Sequence, residues 1–260
     1  MFILFSLLII HVLFTFYIRY DRNAEDQFDE EIKIKYLYKS KLVQYTFIYT
    51  ISTFLILVFY LPNHWVNIFV ILGAGLAHGL IDYLKIKLHK QSNEFLFPYL
   101  FLIAQMFQII LIVLVGTYIT LNFTPTNLDI FILNQNLFLV GSKYILAFLL
   151  IGKAGNIFFK ELMGKYKPTT EDIKEAKENN FHVFSSHQKA GSVIGILERI
   201  LLMASMIVGS YTTIGLIIAA KSVARFKSLE VTKFGEYFII GTMFSILYAL
   251  FTYYLLFKLY

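Results

Sequence analysis

Ionisable side chains inside or at the edges of long apolar runs include His11, His78, Asp82, Lys153, Glu198, Arg199, Lys221, Arg225 and Glu236. A charged side chain at membrane depth costs about 2.5–3.5 kcal/mol on insertion scales, so each needs a partner or a purpose. Gly75, His78 and Asp82 stand at i, i+3 and i+7 with Gly79 alongside. His78 and Asp82, four apart, share a helix face, where they could hydrogen-bond, pass a proton or give two ligands to a metal. Two ligands do not make a metal site and no second His-rich helix completes one, so neither metal nor cofactor is expected. His11 is the nearest further candidate, and Asp82 paired with Lys85 at the membrane edge is the plain alternative.

Farther along, Gly191, Gly195, Glu198, Leu202, Ser205 and Gly209 follow helical spacing, and Gly191-x-x-x-Gly195 is a pattern that lets helices approach closely. Glu198 is therefore expected to point into a bundle, with Arg199 about 100° round the same helix. Both could be members of ion pairs locking helices together, or could serve a ligand. Lys221, Ser222 and Arg225 lie together on one helix; two cations and a hydroxyl at the membrane surface could hold a phosphate or a lipid headgroup. Arg199, Lys221, Ser222 and Arg225 are thus the candidate anion-binding set. His78, Asp82, Glu198 and Glu236 are the candidates for proton coupling or ion pairing.

The composition says what must position these residues. Of 260 residues, 58% are hydrophobic and only 15% charged, with a mean hydropathy of +0.66. A soluble domain carries about 25% charged residues, which excludes that class. The apolar excess is gathered into runs long enough to cross a hydrocarbon core of about 30 Å. They lie near 1–19, 41–61, 65–84, 97–120, 137–155, 190–208, 211–227 and 235–257. The expectation is an all-α polytopic membrane bundle, one domain over 1–260, with eight spans, or seven if 211–227 is re-entrant.

Lys and Arg set the orientation. Alternate connections, namely 19–41, 85–90, 153–189 and 221–233, hold 20 of the 23 basic residues. The connections 61–65, 120–136 and 209–212 hold none, so the positive-inside rule puts both termini outside. No basic residue precedes the first run and no small-residue cleavage site follows it, so it reads as an uncleaved anchor. The segments 19–41 and 165–190 are the cytoplasmic loops. Residues 26–41 could extend the second span as a helix, and Pro168 and Thr169 followed by Glu171 and Asp172 form a helix start that should end near Asn179 and Asn180. His182 and His187 read as solvated surface residues. No Walker loop, G-x-S-x-G, H-E-x-x-H or nucleotide-binding glycine fingerprint is present, and no cysteine.

Four strings, AHGLIDYLKIKL (77–88), AGSVIGILERILL (190–202), AAKSVARFKSLE (219–230) and EYFIIGTMFSILYAL (236–250), resemble an uncharacterised bacterial inner-membrane family, the domain of unknown function 3307. The resemblance is strongest over 77–88 and 190–250. It implies a polar core without naming an activity. The amino-terminal part departs from the family pattern: a His followed four residues later by Asp-Phe is here His11 followed by Thr15-Phe16, and a second family His corresponds to Gln44 or Tyr45. Of any acid–base or metal site there, this chain keeps His11, His78 and Asp82.

These features point first to a multi-pass protein of the bacterial inner membrane whose cytoplasm-facing polar cavity binds or transports an anionic or phosphorylated substrate or a lipid headgroup. One alternative is a membrane subunit, scaffold or sensor that engages a cytoplasmic protein partner through 19–41 or 165–190. Another is a membrane-embedded enzyme acting on a lipid. Nucleic acid is not an expected partner, because the basic excess follows the loops.

Overall fold

A computed structural model describes residues 2–18, 31–58, 65–91, 96–122, 135–169, 171–172, 188–224, 226 and 231–259. All regular structure among the described residues is helical, as a chain with little water around its backbone requires, since each N–H and C=O must be satisfied within its own segment. Each of the eight apolar runs coincides with a helix. Five stretches, Ile68–Leu88, Pro98–Leu121, Asn136–Tyr166, Gly191–Val208 and Thr232–Lys258, are long and apolar enough to cross a membrane, and Ile3–Ile18, Leu42–Leu55 and Tyr211–Ala224 are shorter apolar helices.

The chain forms two compact units, Met1–Leu146 and Ala147–Tyr260. In the first, α1 (Phe2–Val12) runs into a wider π turn over Leu13–Ile18. Helices α2 (Glu31–Val58), α3 (Trp65–Gln91) and α4 (Phe97–Asn122) follow. The helical extension expected ahead of the second apolar run is present from Glu31, where α2 begins ten residues before that run; residues 26–30 lie outside the described residues. Packing joins α1 to α4, α2 to α3 and α3 to α4. Leu7, Leu57, Ile71, Ile112 and Ile119 form the apolar core of this unit.

The close helix contact of this unit lies at Gly75 and Gly79 on α3. A Cβ at Gly75 would overlap the Thr50 side chain of α2, and one at Gly79 would sit 2.5 Å from Thr46 Cγ2. Both threonines fold their hydroxyls back onto α2, Thr46 Oγ1 donating to the Leu42 carbonyl at 2.9 Å and Thr50 Oγ1 to the Thr46 carbonyl at 2.7 Å. Their methyl and hydroxyl surfaces can then pack on glycine without an unpaired donor.

Helix α5 (Gln135–Leu149) begins in the first unit and ends in the second. It passes through a π turn over Leu150–Ala154, bent at Gly152 (φ −73°, ψ −126°), into α6 (Gly155–Met163) and a 3-10 turn at Gly164–Tyr166. The span expected over 137–155 therefore continues past its assigned end as a bent helix. Then come α7 (Gln188–Val208), α8 (Tyr211–Ala224) and α9 (Thr232–Tyr253), the last closing in a π turn over Tyr254–Lys258. Leu202, Met206 and Ala249 form the core here, with Ile214, Ile217, Ile246 and Tyr253 against it. With 14 residues, α8 rises roughly 21 Å, short of a full hydrocarbon core.

Gly209 has φ +79°. The Gly209 N–H donates to the Met206 carbonyl at 3.2 Å and the Ser210 N–H to the Ser205 carbonyl at 2.8 Å. This is the Schellman termination in which glycine takes the left-handed position. Gly209 thus ends α7 rather than continuing its small-residue stripe. A Cβ at Gly191 would meet nothing within 4 Å, and one at Gly195 would make only ordinary contacts with Asn156 and Arg199. The close contact expected at Gly191 is absent among the described residues; the glycine pair that packs tightly is on α3.

The helix start expected after Pro168 is present. The Asp172 carboxylate accepts from the Thr169 N–H at 2.8 Å, and the Asp172 N–H donates to Thr169 Oγ1 at 3.2 Å, a reciprocal capping box. Its expected end at Asn179 and Asn180 lies outside the described residues, as do 19–30, His182 and His187. Lys233 at the start of α9 donates to Asp172 at 2.5 Å. That ammonium, with the Thr169 donors, holds the Asp172 carboxyl at about 2, below its ordinary 3.8. A depressed carboxylate stabilises the fold above its unfolded value and ceases to do so as pH falls through the folded one. Wild-type thermal stability should therefore decline between about pH 4 and pH 2 more steeply than that of Asp172→Asn, with a small difference because the pair is at the surface. Parallel melting curves over that range would contradict the assignment.

Candidate functional site

In the first unit, three of the residues singled out by type come together. His11 is 2% exposed, His78 6% and Asp82 5%. His78 Nε2 lies 3.3 Å from His11 Nδ1, and His78 Nδ1 lies 3.6 Å from Asp82 Oδ2, an electrostatic contact longer than a hydrogen bond. Gln108 Nε2 donates to Asp82 Oδ1 at 3.1 Å, and Gln105 Nε2 donates to Gln108 Oε1 at 3.2 Å. The result is a polar chain through three helices: His11 on α1, His78 and Asp82 on α3, Gln105 and Gln108 on α4.

Sequence spacing explains the layer. His11 is one turn beyond core residue Leu7, His78 two turns beyond Ile71, and Gln108 one turn before Ile112. In helices that alternate in direction these offsets carry all three the same way from the apolar core, so the polar groups meet instead of scattering. Tyr49 of α2 completes the layer: its ring stacks on His78 with centroids 4.1 Å apart and planes at 21°. The imidazoles themselves meet edge to face at 5.4 Å.

One tautomer set fits these contacts, with His11 Nδ1–H donating to His78 Nε2 and His78 Nδ1–H turned toward Asp82 across the longer electrostatic contact. Thr15 Oγ1, 3.4 Å from His11 Nδ1, is a second neighbour of that nitrogen. His11 Nε2 and the Tyr45 hydroxyl are buried without a hydrogen-bond partner among the described residues. A small, half-open cleft lined by Phe14, Thr15, Tyr45, Thr46, Tyr49, His78 and Asp82 has a cavity volume of about 20 Å³, room for about one water molecule. Thr15 and Tyr45 thus line the same cleft as His78 and Asp82. No group of three His, Asp or Glu side chains among the described residues has the geometry to hold a metal; the two histidines and the aspartate form a line rather than a shell.

The second unit uses its ionisable residues differently. Arg199, 2% exposed, donates from Nε to the Ile151 carbonyl at 2.6 Å, and from one terminal nitrogen to the Gly152 carbonyl at 3.2 Å and to Asn156 Oδ1 at 2.5 Å. The π turn and the ψ of Gly152 take those carbonyls out of the regular helix ladder, and the planar fork of donors meets them there. Lys221 Nζ pairs with Glu198 Oε2 at 2.6 Å, with side-chain exposures of 21% and 13%, and lies 5.3 Å from the centre of the Phe238 ring. Ser222 Oγ donates to the Ile218 carbonyl of its own helix at 2.9 Å. Lys153 is half-buried in the bend and Glu236 is exposed on the first turns of α9. Arg225 lies outside the described residues.

Glu198 thus faces a neighbouring helix, as its stripe predicts, but its partner is Lys221, one of the cations assigned to an anion. Gln105, Gln108 and Tyr49 escaped a reading confined to ionisable groups. The signal was available: two amides at i and i+3 within an otherwise apolar span are costly unless paired.

Comparison with curated proteins and with solved structures finds no match. A family model for proteins of unknown function, DUF3307, matches residues 3–139. The matched stretch contains 77–88 and the whole His11–His78–Asp82 chain, including the amino-terminal part that departs from the expected pattern. The strings at 190–250 lie beyond it. With more than half its length in the match, the chain belongs to the DUF3307 family.

Proposed function

We propose that this is a proton-coupled carrier of the bacterial inner membrane, with both termini outside, in which His11, His78 and Asp82 form the proton relay. The contact of His78 with both His11 and Asp82 carries this reading. Three ionisable groups in one buried layer are expensive where apolar residues would pack the helices as well. A proton accepted at His11 Nε2 lets the Nδ1 proton pass to His78 Nε2, and the His78 Nδ1 proton pass to Asp82. Each imidazole is left in its other tautomer, and resetting requires release at the opposite end. The Gln108 amide holds Asp82 Oδ1, so that Oδ2 remains the oxygen facing His78.

The relay can be tested before any cargo is known. When purified protein in weakly buffered solution is stepped from about pH 8 to about pH 5, the range in which histidine changes charge, it should take up about one more proton per chain than Asp82→Asn does. Equal uptake by the two proteins would overturn the proposal.

The anionic or lipid-headgroup reading of Arg199, Lys221, Ser222 and Arg225 has one supporting observation, that Lys221 keeps about a fifth of its side-chain exposure while paired. An anion would have to replace Glu198 there. Docking of a protein partner through 19–41 or 165–190 rests on segments that lie largely outside the described residues.

A further inference from the structure

The cleft beside the relay is small and its wall is largely polar. Thr15, Tyr45, Thr46, His78 and Asp82 line it together with the rings of Phe14 and Tyr49, and its volume is about 20 Å³. A water molecule needs about 10–15 Å³ of such space and two to four polar partners. The cleft has the size for one. The Tyr45 hydroxyl is buried with no hydrogen-bond partner among the described residues, a costly state for a group that can both donate and accept. Thr46 Oγ1 spends its proton on the Leu42 carbonyl at 2.9 Å, so toward the cleft it can only accept. The wall thus offers a donor and an acceptor to the same small space.

We infer that this cleft holds a single water on the Tyr45 hydroxyl, and that this water carries protons between Asp82 and the exterior. The inference rests on the relay proposed above and adds its outlet. The water oxygen accepts from the Tyr45 O–H, and one of the water hydrogens is donated to Thr46 Oγ1. In a space of this size the occupant also lies against Asp82, whatever else that carboxyl group touches. Asp82 keeps the Gln108 amide on Oδ1 and His78 beside Oδ2. When the relay has delivered a proton, the carboxyl O–H bond breaks, the proton joins the water oxygen, and a different proton leaves that water for solvent water at the open side of the cleft. The bound water is restored and Asp82 is again a carboxylate. Tyr45 transfers nothing in this step; it is a positioning residue that fixes where the water sits.

The place of the cleft along the helices agrees with an outlet. Tyr45 stands four residues after Lys41, and Asp82 three residues before Lys85. Both basic residues belong to the edge that the orientation proposed above makes cytoplasmic. The titratable and charged groups around the water are His78 and Asp82 on α3 and Tyr45 and Tyr49 on α2, with His11 of α1 behind His78. Lys85 holds its ammonium 5.4 Å from the Phe101 ring centre.

The test uses the full chain in lipid or detergent, wild type and Tyr45→Phe. A structure of the wild type at a resolution that shows ordered water should have density for one water within hydrogen-bond distance of the Tyr45 hydroxyl. Exchange of the His78 imidazole N–H with solvent should slow roughly fivefold to tenfold in Tyr45→Phe, the weight of one hydrogen bond to the water. Deleting a partnerless buried hydroxyl stabilises a protein, whereas deleting one that holds a water does not, so the variant should melt no higher than wild type. A cleft without water density, an unchanged exchange rate, or a raised melting temperature would each overturn the inference. If His11 and His78 still titrate together in that case, the relay stands and its outlet lies elsewhere; if they titrate independently, both fall.

Discussion

Arg199→Ala is expected to destabilise the second unit by about 3–5 kcal/mol, the largest effect of any single substitution considered. The cost arises at the bend between α5 and α6. With Gly152 at ψ −126°, the carbonyls of Ile151 and Gly152 lie outside the regular ladder, and Arg199 supplies donors to both. Water cannot substitute freely in an apolar bundle, so each abandoned carbonyl carries its full desolvation cost. The bend also depends on Gly155, where a Cβ would lie 2.9 Å from Arg199 Nε and 3.1 Å from the Tyr248 ring. Arg199→Lys should recover only part of the loss, because a single ammonium cannot reproduce the planar fork. Thermal unfolding followed by circular dichroism would measure this, and a melting temperature for Arg199→Ala equal to wild type would remove Arg199 from its role at the bend.

The second large effect is expected at Gly75. Valine there would drive its side chain into Thr50 across the α2–α3 contact, and overpacking of this kind costs about 1–3 kcal/mol. Removing the obstacle should restore stability: Gly75→Val combined with Thr50→Ala should be more stable than Gly75→Val alone, a coupling that independent sites would not show. Trp65, the single tryptophan, stands at the start of α3 and offers a fluorescence readout. Additive losses would mean that the two helices do not meet through these residues. Since His78 lies between Gly75 and Asp82 on α3, the same contact sets where the relay sits.

Much of this was legible in the sequence. Apolar run length and charged boundaries locate the eight apolar helical stretches among the described residues, because hydrocarbon thickness sets the length of a span. The i, i+4 spacing of His78 and Asp82 predicts a shared face, and the small-residue stripe predicts that Glu198 turns toward another helix. What the sequence hides is which partner each residue finds. Local spacing cannot show that Lys221 would reach Glu198, 23 positions away, or that Arg199 would meet backbone carbonyls, since those acceptors arise only from the π turn. Nor does a Gly-x-x-x-Gly pattern announce which of two copies packs: Gly75 and Gly79 do so because Thr46 and Thr50 lie opposite, while Gly191 has no such neighbour.

The central claim, that His11, His78 and Asp82 share a proton, is tested most directly by nitrogen-15 spectra of the imidazoles in protein labelled at its six histidines, assigned by single substitution. Over an acid titration, the His11 and His78 signals should move together, as coupled sites do, and Asp82→Asn should displace both transitions. Two histidines that titrate independently, or that ignore Asp82→Asn, would contradict the relay.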